Sequence, residues 1–286
     1  MASRGLVVAS LTSGSGKTTV TLGLLRAMRR AGIGVNAAKS GPDYIDAAFL
    51  AAASGALEPM IDKAAELVGA HLDLGAIEAA FAGIAAPETG PALLPPPGHR
   101  IAIARDAAFG FSYEHLMAGW RDAGAEIMKF SPLADEAPPP DADFIFLPGG
   151  YPELHLPELS RAGNFLGGLR AAAERGTRIY GECGGYMVLG ETIIDAEGTS
   201  YPMAGLLALE TSFAKRKLHL GYRRMTPLAQ AWPGLEPVTG HEFHYTSATR
   251  AEGDPLFAVS DAAGRDLGTM GLVRGSVAGS YAHIIA

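Results

Sequence analysis

Cys183 is the sole cysteine among 286 residues. An internal disulfide is thereby excluded, and the expected compartment is a reducing cytoplasm. Long apolar runs are also missing, since nothing approaches the roughly 18 residues that a membrane-crossing helix needs. The short apolar run Leu6–Ala9 gives way to Thr-Ser-Gly-Ser-Gly-Lys, which reads as a buried strand entering a loop and not as a signal peptide. Positive charge is scarce: Lys+Arg 23 against Asp+Glu 30 leaves −7. That argues against nucleic acid or an anionic membrane as partner. Charged residues make up only 19% and hydrophobic ones 48%, too apolar a balance for disorder. What remains is a soluble globular protein, an enzyme by expectation, with room for one large domain or two small ones.

The clearest boundary is Pro87-Glu-Thr-Gly-Pro-Ala-Leu-Leu-Pro-Pro-Pro-Gly98. So many prolines permit neither helix nor central strand, so this is a stiff linker between residues 1–86 and 99–286. In the first part, Gly5–Leu11 and Ile33–Lys39 read as strands and Thr18–Ala31 as a helix. Ser40–Asp46 reads as a loop, and residues 47–86 as helical with breaks. In the second, strands are expected at Ile101–Arg105, Glu126–Phe130, Phe144–Leu147 and Arg178–Gly181. Helices are expected at Tyr113–Ala123, Ala162–Arg175 and Gly184–Gly190, and the last hundred residues look strand-rich. The fold class is α/β, with a parallel sheet covered on both faces.

Ser13-Gly-Ser-Gly-Lys-Thr-Thr19 sits between an expected strand and an expected helix. Glycines turn backbone N–H groups toward phosphate oxygens, and the helix N-terminus adds its dipole. Lys17 would reach the terminal phosphates and the Thr18 hydroxyl would hold Mg2+. Gly14, Ser15, Gly16, Lys17, Thr18 and Thr19 are therefore candidate nucleotide-binding residues, although the full P-loop pattern wants glycine where Leu11 stands. The loop Lys39–Asp46 opens at the same carboxyl edge of the sheet, where ligands collect. Lys39 would neutralise a phosphoryl group there, and Asp43 and Asp46 would hold metal or position substrate.

Gly181-Glu-Cys-Gly-Gly185 follows an apolar strand and precedes a helix, which is the cysteine form of a nucleophile elbow. The helix N-terminus is expected to favour the thiolate of Cys183. Leu147-Pro-Gly-Gly-Tyr-Pro-Glu-Leu154 leaves another strand into a glycine pair, so Gly150 and Gly184 can supply oxyanion-binding amides. The thiol needs a base. His71, His99, His115 and His219 occupy bland contexts and His155 borders the glycine pair. His241 and His244 have the spacing of a metal pair, with no third ligand cluster following. Periodicity alone does not choose among His241, His244 and His283.

These stretches, with Arg105–Phe109, Phe130–Glu136, Gly240–Tyr245 and Gly279–His283, resemble the cobyrinate/hydrogenobyrinate a,c-diamide synthase family of cobalamin biosynthesis. The resemblance implies a dethiobiotin-synthetase-like ATP-dependent amide ligase part, followed by a class I glutamine amidotransferase-like domain. It makes Cys183 the glutaminase nucleophile and His283 its base, and it assigns Ser13–Thr19 to ATP. Lys39, Asp43, Tyr44 and Asp46 would contact phosphate, Mg2+ or a corrin carboxylate. ATP, Mg2+, glutamine and a corrinoid are the ligands it implies; the oligomeric state is left open, a homodimer included. Other class I amidotransferases carry a glutamate two residues after the histidine, where this chain has Ile285, so a Cys–His dyad is expected. Family members also carry a segment of about 150 residues after the Gly-Pro-Asp loop, a domain's worth, that has no counterpart here.

Overall fold

A computed structural model describes residues 4–6, 8, 17–35, 57–83, 94–231 and 233–285. The chain divides into two compact units, Met1–Gly90 and Pro91–Ala286. In the first, α1 (Lys17–Arg30) packs on α2 (Leu57–His71) through Leu24, Ala27 and Met28 against Ala65 and Val68. Arg26 and Arg30 of α1 reach Asp62 of α2 at 2.9 and 2.7 Å. A third helix, α3 (Leu74–Ala79), starts at Asp73, whose carboxylate accepts from the Ala76 amide at 3.0 Å. Lys17, Thr18 and Thr19 open α1. Gly14, Ser15, Gly16, Lys39, Asp43, Tyr44 and Asp46 lie outside the described residues.

The strands of this unit differ from expectation. β1 is Arg4–Gly5 and pairs antiparallel with β2, Ala82–Gly83, inside a stretch expected to be helical. Ile33–Val35, expected to begin a strand, have no regular structure. Gly32 takes φ +79°, and the Ile33 amide turns back to the Met28 carbonyl at 2.9 Å, so Ile33 and Val35 close the helix end over its own core.

The second unit follows the expected order closely. Its strands are β3 (Arg100–Ala104), β4 (Glu126–Phe130), β5 (Phe144–Leu147) and β6 (Arg178–Glu182). Its helices are α4 (Glu114–Asp122), α5 (Leu156–Arg161), α6 (Gly163–Glu174) and α7 (Gly184–Leu189). Then come β7 (Thr192–Ile194), β8 (Ser200–Pro202), β9 (Ala208–Ser212), β10 (His219–Pro227) and β11 (Val238–His244). The last five are β12 (Ser247–Glu252), β13 (Asp254–Asp261), β14 (Asp266–Arg274), β15 (Val277–Ser280) and β16 (Ala282–Ile284).

Ten strands form one sheet in the order β16-β11-β10-β13-β14-β15-β6-β5-β3-β4, and β12-β9-β7-β8 form a second. The sheet is mixed, not purely parallel. β4, β3, β5, β6 and β15 run parallel, and every pairing from β15 to β16 through β14 is antiparallel. The parallel half is buried on both faces, which is why its strands read as continuous apolar runs. Ala102, Ala104, Ile145 and Leu147 face Phe165 and Leu169 of α6, whereas Ile101, Ile103, Phe144 and Phe146 face Leu116 and Trp120 of α4. Phe165 is fully buried, with Phe109 and Phe130 each at 6.2 Å between ring centroids. Phe165→Ala should therefore cost about 3–5 kcal/mol, read as a lowered urea midpoint at unchanged slope.

Candidate active site

The three carboxyl ends of β5, β6 and β15 meet at one edge, in the register Leu147↔Gly181 and Ser280↔Glu182. Just past that edge Cys183 takes φ +47° and ψ −106° before α7 begins. A non-glycine residue in this region stores on the order of 1–3 kcal/mol of strain, which persists only where surroundings enforce it. Here the Cys183 amide donates to the Ser280 carbonyl at 2.8 Å, and the Cys183 carbonyl accepts from Met187 at 3.1 Å.

Opposite the elbow stands the Gly149–Gly150 pair. A Cβ on Gly184 would lie 2.8 Å from Pro152 Cδ and 3.1 Å from the Gly150 nitrogen. The two candidate oxyanion glycines are thus side by side, at a spacing that a side chain on Gly184 would force apart. Gly150 in turn rests on the Ala108 carbonyl where its own Cβ would be. That support is fixed by Asp106, which accepts from the Ala108 and Phe109 amides at 2.9 and 3.2 Å. It also accepts from Ser131 Oγ and the Leu133 amide at 3.0 and 2.8 Å. The Phe111 amide donates to the Gly149 carbonyl at 2.8 Å.

His283, on β16, lies with its ring against Gly149, in the space a Cβ there would fill. It is buried, stacks on His241 at 5.0 Å, and its Nδ1 is 3.7 Å from Glu182 Oε2 with no hydrogen-bond partner. Burial, then the neighbouring His241 and His244, pull its pKa down to about 3. Burial pushes the Glu182 carboxyl up to about 8, although the Ile284 amide donates to its Oε1 at 3.0 Å and works the other way.

The thiol corrects an expectation. Burial, with the charges of Glu153, Glu182 and Glu242, pushes Cys183 up to about 12, outweighing the Gly184 amide. A helix of six residues in a closed site does not offset such desolvation. Thiol and imidazole are therefore both neutral in the resting site.

The histidines of β11 separate by face, as an offset of three dictates in a strand. His241 stacks on His283, and His244 on Tyr281 at 4.0 Å and on His219 at 4.7 Å. The metal pair that the His241–His244 spacing suggested does not form, since the two rings stack on different neighbours. His219, Glu242 and His244 do cluster, with ligand atoms within 4.8 Å of one another. That cluster is closed on itself. His244 faces the Thr246 carbonyl at 3.0 Å and Glu242 Oε1 at 2.8 Å, while Glu242 Oε2 accepts from Arg223 Nη2 at 2.7 Å and Nε at 2.9 Å. Burial acts to raise Glu242, but the bonds from His244 and Arg223 more than offset it and hold the carboxyl below its ordinary range. The His219 and His244 rings lie 7° from parallel, so their lone pairs do not converge on one ion.

Cys183, His283, Gly150 and Gly184 are thus brought together, while His155 ends the short turn Pro152–Leu154 and His115 Nε2 sits 2.9 Å from the Ile285 carbonyl. Sequence reading missed Glu182, Glu153, and the Arg223–Glu242–His244 chain. The signal for Glu182 was legible: a carboxyl closing a strand whose other residues are buried and apolar needs a reason to be there.

A strained cysteine at the carboxyl edge of an α/β sheet, with paired glycine amides and a buried histidine, has the arrangement of a cysteine-nucleophile acyl-transfer class of site. Residues 100–286 match the CobB/CobQ-like glutamine amidotransferase domain. A hydrogenobyrinate a,c-diamide synthase from Sinorhizobium sp is 40% identical over 428 aligned positions, covering 98% of each chain. Since this chain has 286 residues, about a third of that alignment has no counterpart here. The enzyme of the same name from Brucella anthropi is 54% identical over 235 residues, 80% of this chain and 53% of the relative. Among solved structures, PurLQS from Thermotoga maritima is 20% identical with a TM-score of 0.44, over 64% of this chain and 86% of that one. The chain belongs to the hydrogenobyrinate a,c-diamide synthase family and is an enzyme of that glutamine amidotransferase class. No helix among the described residues is long and apolar enough to cross a membrane.

The thiol state is directly checkable. At neutral pH, iodoacetamide should label native Cys183 about 10³-fold or more slowly than an ordinary exposed thiol, and at the ordinary rate in urea. Stability should also fall as pH drops from about 6.5 toward 3, because the unfolded chain takes up the proton that folded His283 refuses. In His283→Asn the acid limb of a urea-midpoint profile should be flatter.

Proposed function

We propose that this chain hydrolyses glutamine at Cys183 to supply ammonia for amidating the a and c side-chain carboxylates of hydrogenobyrinate or cobyrinate. The observation that carries the glutaminase reading is the strained elbow, with the Gly150 and Gly184 backbones a methyl's width apart and His283 against Gly149. His283 takes the Sγ proton as sulfur attacks the glutamine Cδ, and the developing oxyanion meets the two glycine amides. The C–N bond breaks, His283 returns the proton to nitrogen, and ammonia leaves a γ-glutamyl thioester. Water then releases glutamate and restores the thiol.

Ammonia does not attack a carboxylate at neutral pH, so the acceptor has to be activated, and the names of the relatives support a corrinoid acceptor. ATP at Ser13–Thr19 would supply the activating phosphoryl group. Among the described residues Lys17 and Thr18 fit it: they open a 14-residue helix whose first turn has no acid. Of the described acids Asp62 is held by Arg26 and Arg30 and Asp73 caps α3, while Asp43 and Asp46 lie outside the described residues. The third of the relative's alignment that has no counterpart favours one alternative: a glutaminase or non-catalytic partner whose ligase half has decayed. Glutamine hydrolysis should therefore be measurable, ATP binding weak, and corrinoid amidation by this chain alone very slow or absent.

Cys183→Ala should abolish ammonia release from glutamine, and any amidation should persist on ammonium salts at raised pH. His283→Asn should slow thioester formation by about 10²–10⁴-fold, with His241→Asn costing less. Ammonia release is measured with and without Mg-ATP and hydrogenobyrinate, and the diamide is sought by mass. Glutamine hydrolysis surviving in Cys183→Ala overturns the nucleophile. Rapid diamide formation restores full ligase activity to the chain.

A further inference from the structure

Three acidic side chains act on the thiol, and they are not equivalent. Glu242 is committed, with one oxygen to His244 and the other to Arg223. Glu153, just beyond the glycine pair, leaves Oε2 buried without a hydrogen bond. Glu182 is buried on β6, one residue before the nucleophile. One of its oxygens is fixed by the Ile284 amide at 3.0 Å, and the other lies 3.7 Å from His283 Nδ1. That nitrogen is buried and has no hydrogen-bond partner, so the site contains an orphaned donor position and a carboxylate oxygen less than an ångström beyond bonding distance. Catalytic hydrogen bonds in an empty site are often long and tighten when substrate binds.

We propose that Glu182 is the third member of this site, a positioning residue that accepts a hydrogen bond from His283 Nδ1 and leaves Nε2 to take the thiol proton. The role rests on the glutaminase reading above. It answers a difficulty in the resting geometry: a thiol held near 12 and an imidazole held near 3 leave proton transfer strongly uphill. A carboxylate at Nδ1 raises the basicity of Nε2 and stabilises the imidazolium once formed. The backbone explains how a residue so far from His283 in sequence does this. Glu182 is bound to the amide of Ile284, the neighbour of the histidine, so carboxylate and imidazole are held by the same strand end. The charged and titratable groups around the pair are Tyr180 on its own strand, Cys183 at the elbow, and His241 and His244 on β11. Glu182 is therefore protonated at neutral pH and becomes a carboxylate as pH passes about 8.

The test follows glutamine hydrolysis by the full chain from about pH 6 to 10, with kcat and KM separated, for wild type, Glu182→Gln and Glu182→Asp. Gln keeps an acceptor for the Ile284 amide and loses the charge. Wild-type kcat should rise through a pKa near 8. Glu182→Gln should lose about 10²-fold in kcat with KM nearly unchanged, and should lose that rise. Glu182→Asp should recover part of kcat together with the rise. A Gln variant with wild-type kcat and the same pH limb overturns the role. Should it not fold, 15N NMR of His283 in the wild type decides: Nδ1 and Nε2 shifts must inflect near 8, and a flat titration overturns the proposal. Wild-type protein that releases no ammonia instead counts against the glutaminase reading, and the NMR titration then tests the pair by itself.

Discussion

Ser280 and Ala282 stand on either side of one residue, yet they belong to strands five pairings apart in the ten-stranded sheet. One residue spans only about 7 Å, so the antiparallel half must curl back until β16 arrives beside β15. The residue that makes the turn, Tyr281, is buried with its ring on His244 and edge-on to Tyr186 of α7. β15 continues the parallel sheet beside β6, the strand that leads into Cys183, while β16 carries His283. The curl is therefore what brings an imidazole encoded a hundred residues after the thiol to the same edge. Every later feature of the site presupposes it.

Closure has an electrostatic consequence. The same packing that excludes water around the elbow penalises each charge placed there, so thiol, imidazole and the Glu182 carboxyl all rest in neutral form. Beside them Arg223, Glu242 and His244 are each hydrogen-bonded at 3.0 Å or less, and those bonds hold the Glu242 carboxyl below its ordinary range. The site thus contains two kinds of buried polar group. One kind is satisfied and fixes the histidine strand. The other is unsatisfied, as at His283 Nδ1 and Glu153 Oε2.

Much of this was legible in the sequence. The strands from Ile101 to Glu182 announce themselves because burial on both faces makes them short unbroken apolar runs between turn residues. The elbow was legible because glycine on both sides of a cysteine has few other uses. Three things were not. The two-residue strands β1 and β2 are set by pairing across the chain and carry no local period. The antiparallel curl depends on which strands meet, and composition is silent on that. The thiol's pKa was misread because a helix N-terminus is a local feature, whereas desolvation belongs to the whole closed site.

The support of the site is also self-contained in a way that bears on the shortened chain. Asp106 holds the turn under Gly150, Ser280 holds the elbow amide, Ile284 holds Glu182, and Arg223 holds Glu242. Each of these contacts lies within Pro91–Ala286. The family's long segment after the Gly-Pro-Asp loop has no counterpart in this chain, yet none of these contacts calls on a residue before Pro91. Ammonia generation requires only positioned donors, a thiol and a base. Phosphoryl transfer requires a nucleotide, a metal and an acceptor held in line, which takes a larger surface. The third of the relative's alignment that has no counterpart here therefore leaves the contacts around Cys183 and His283 untouched.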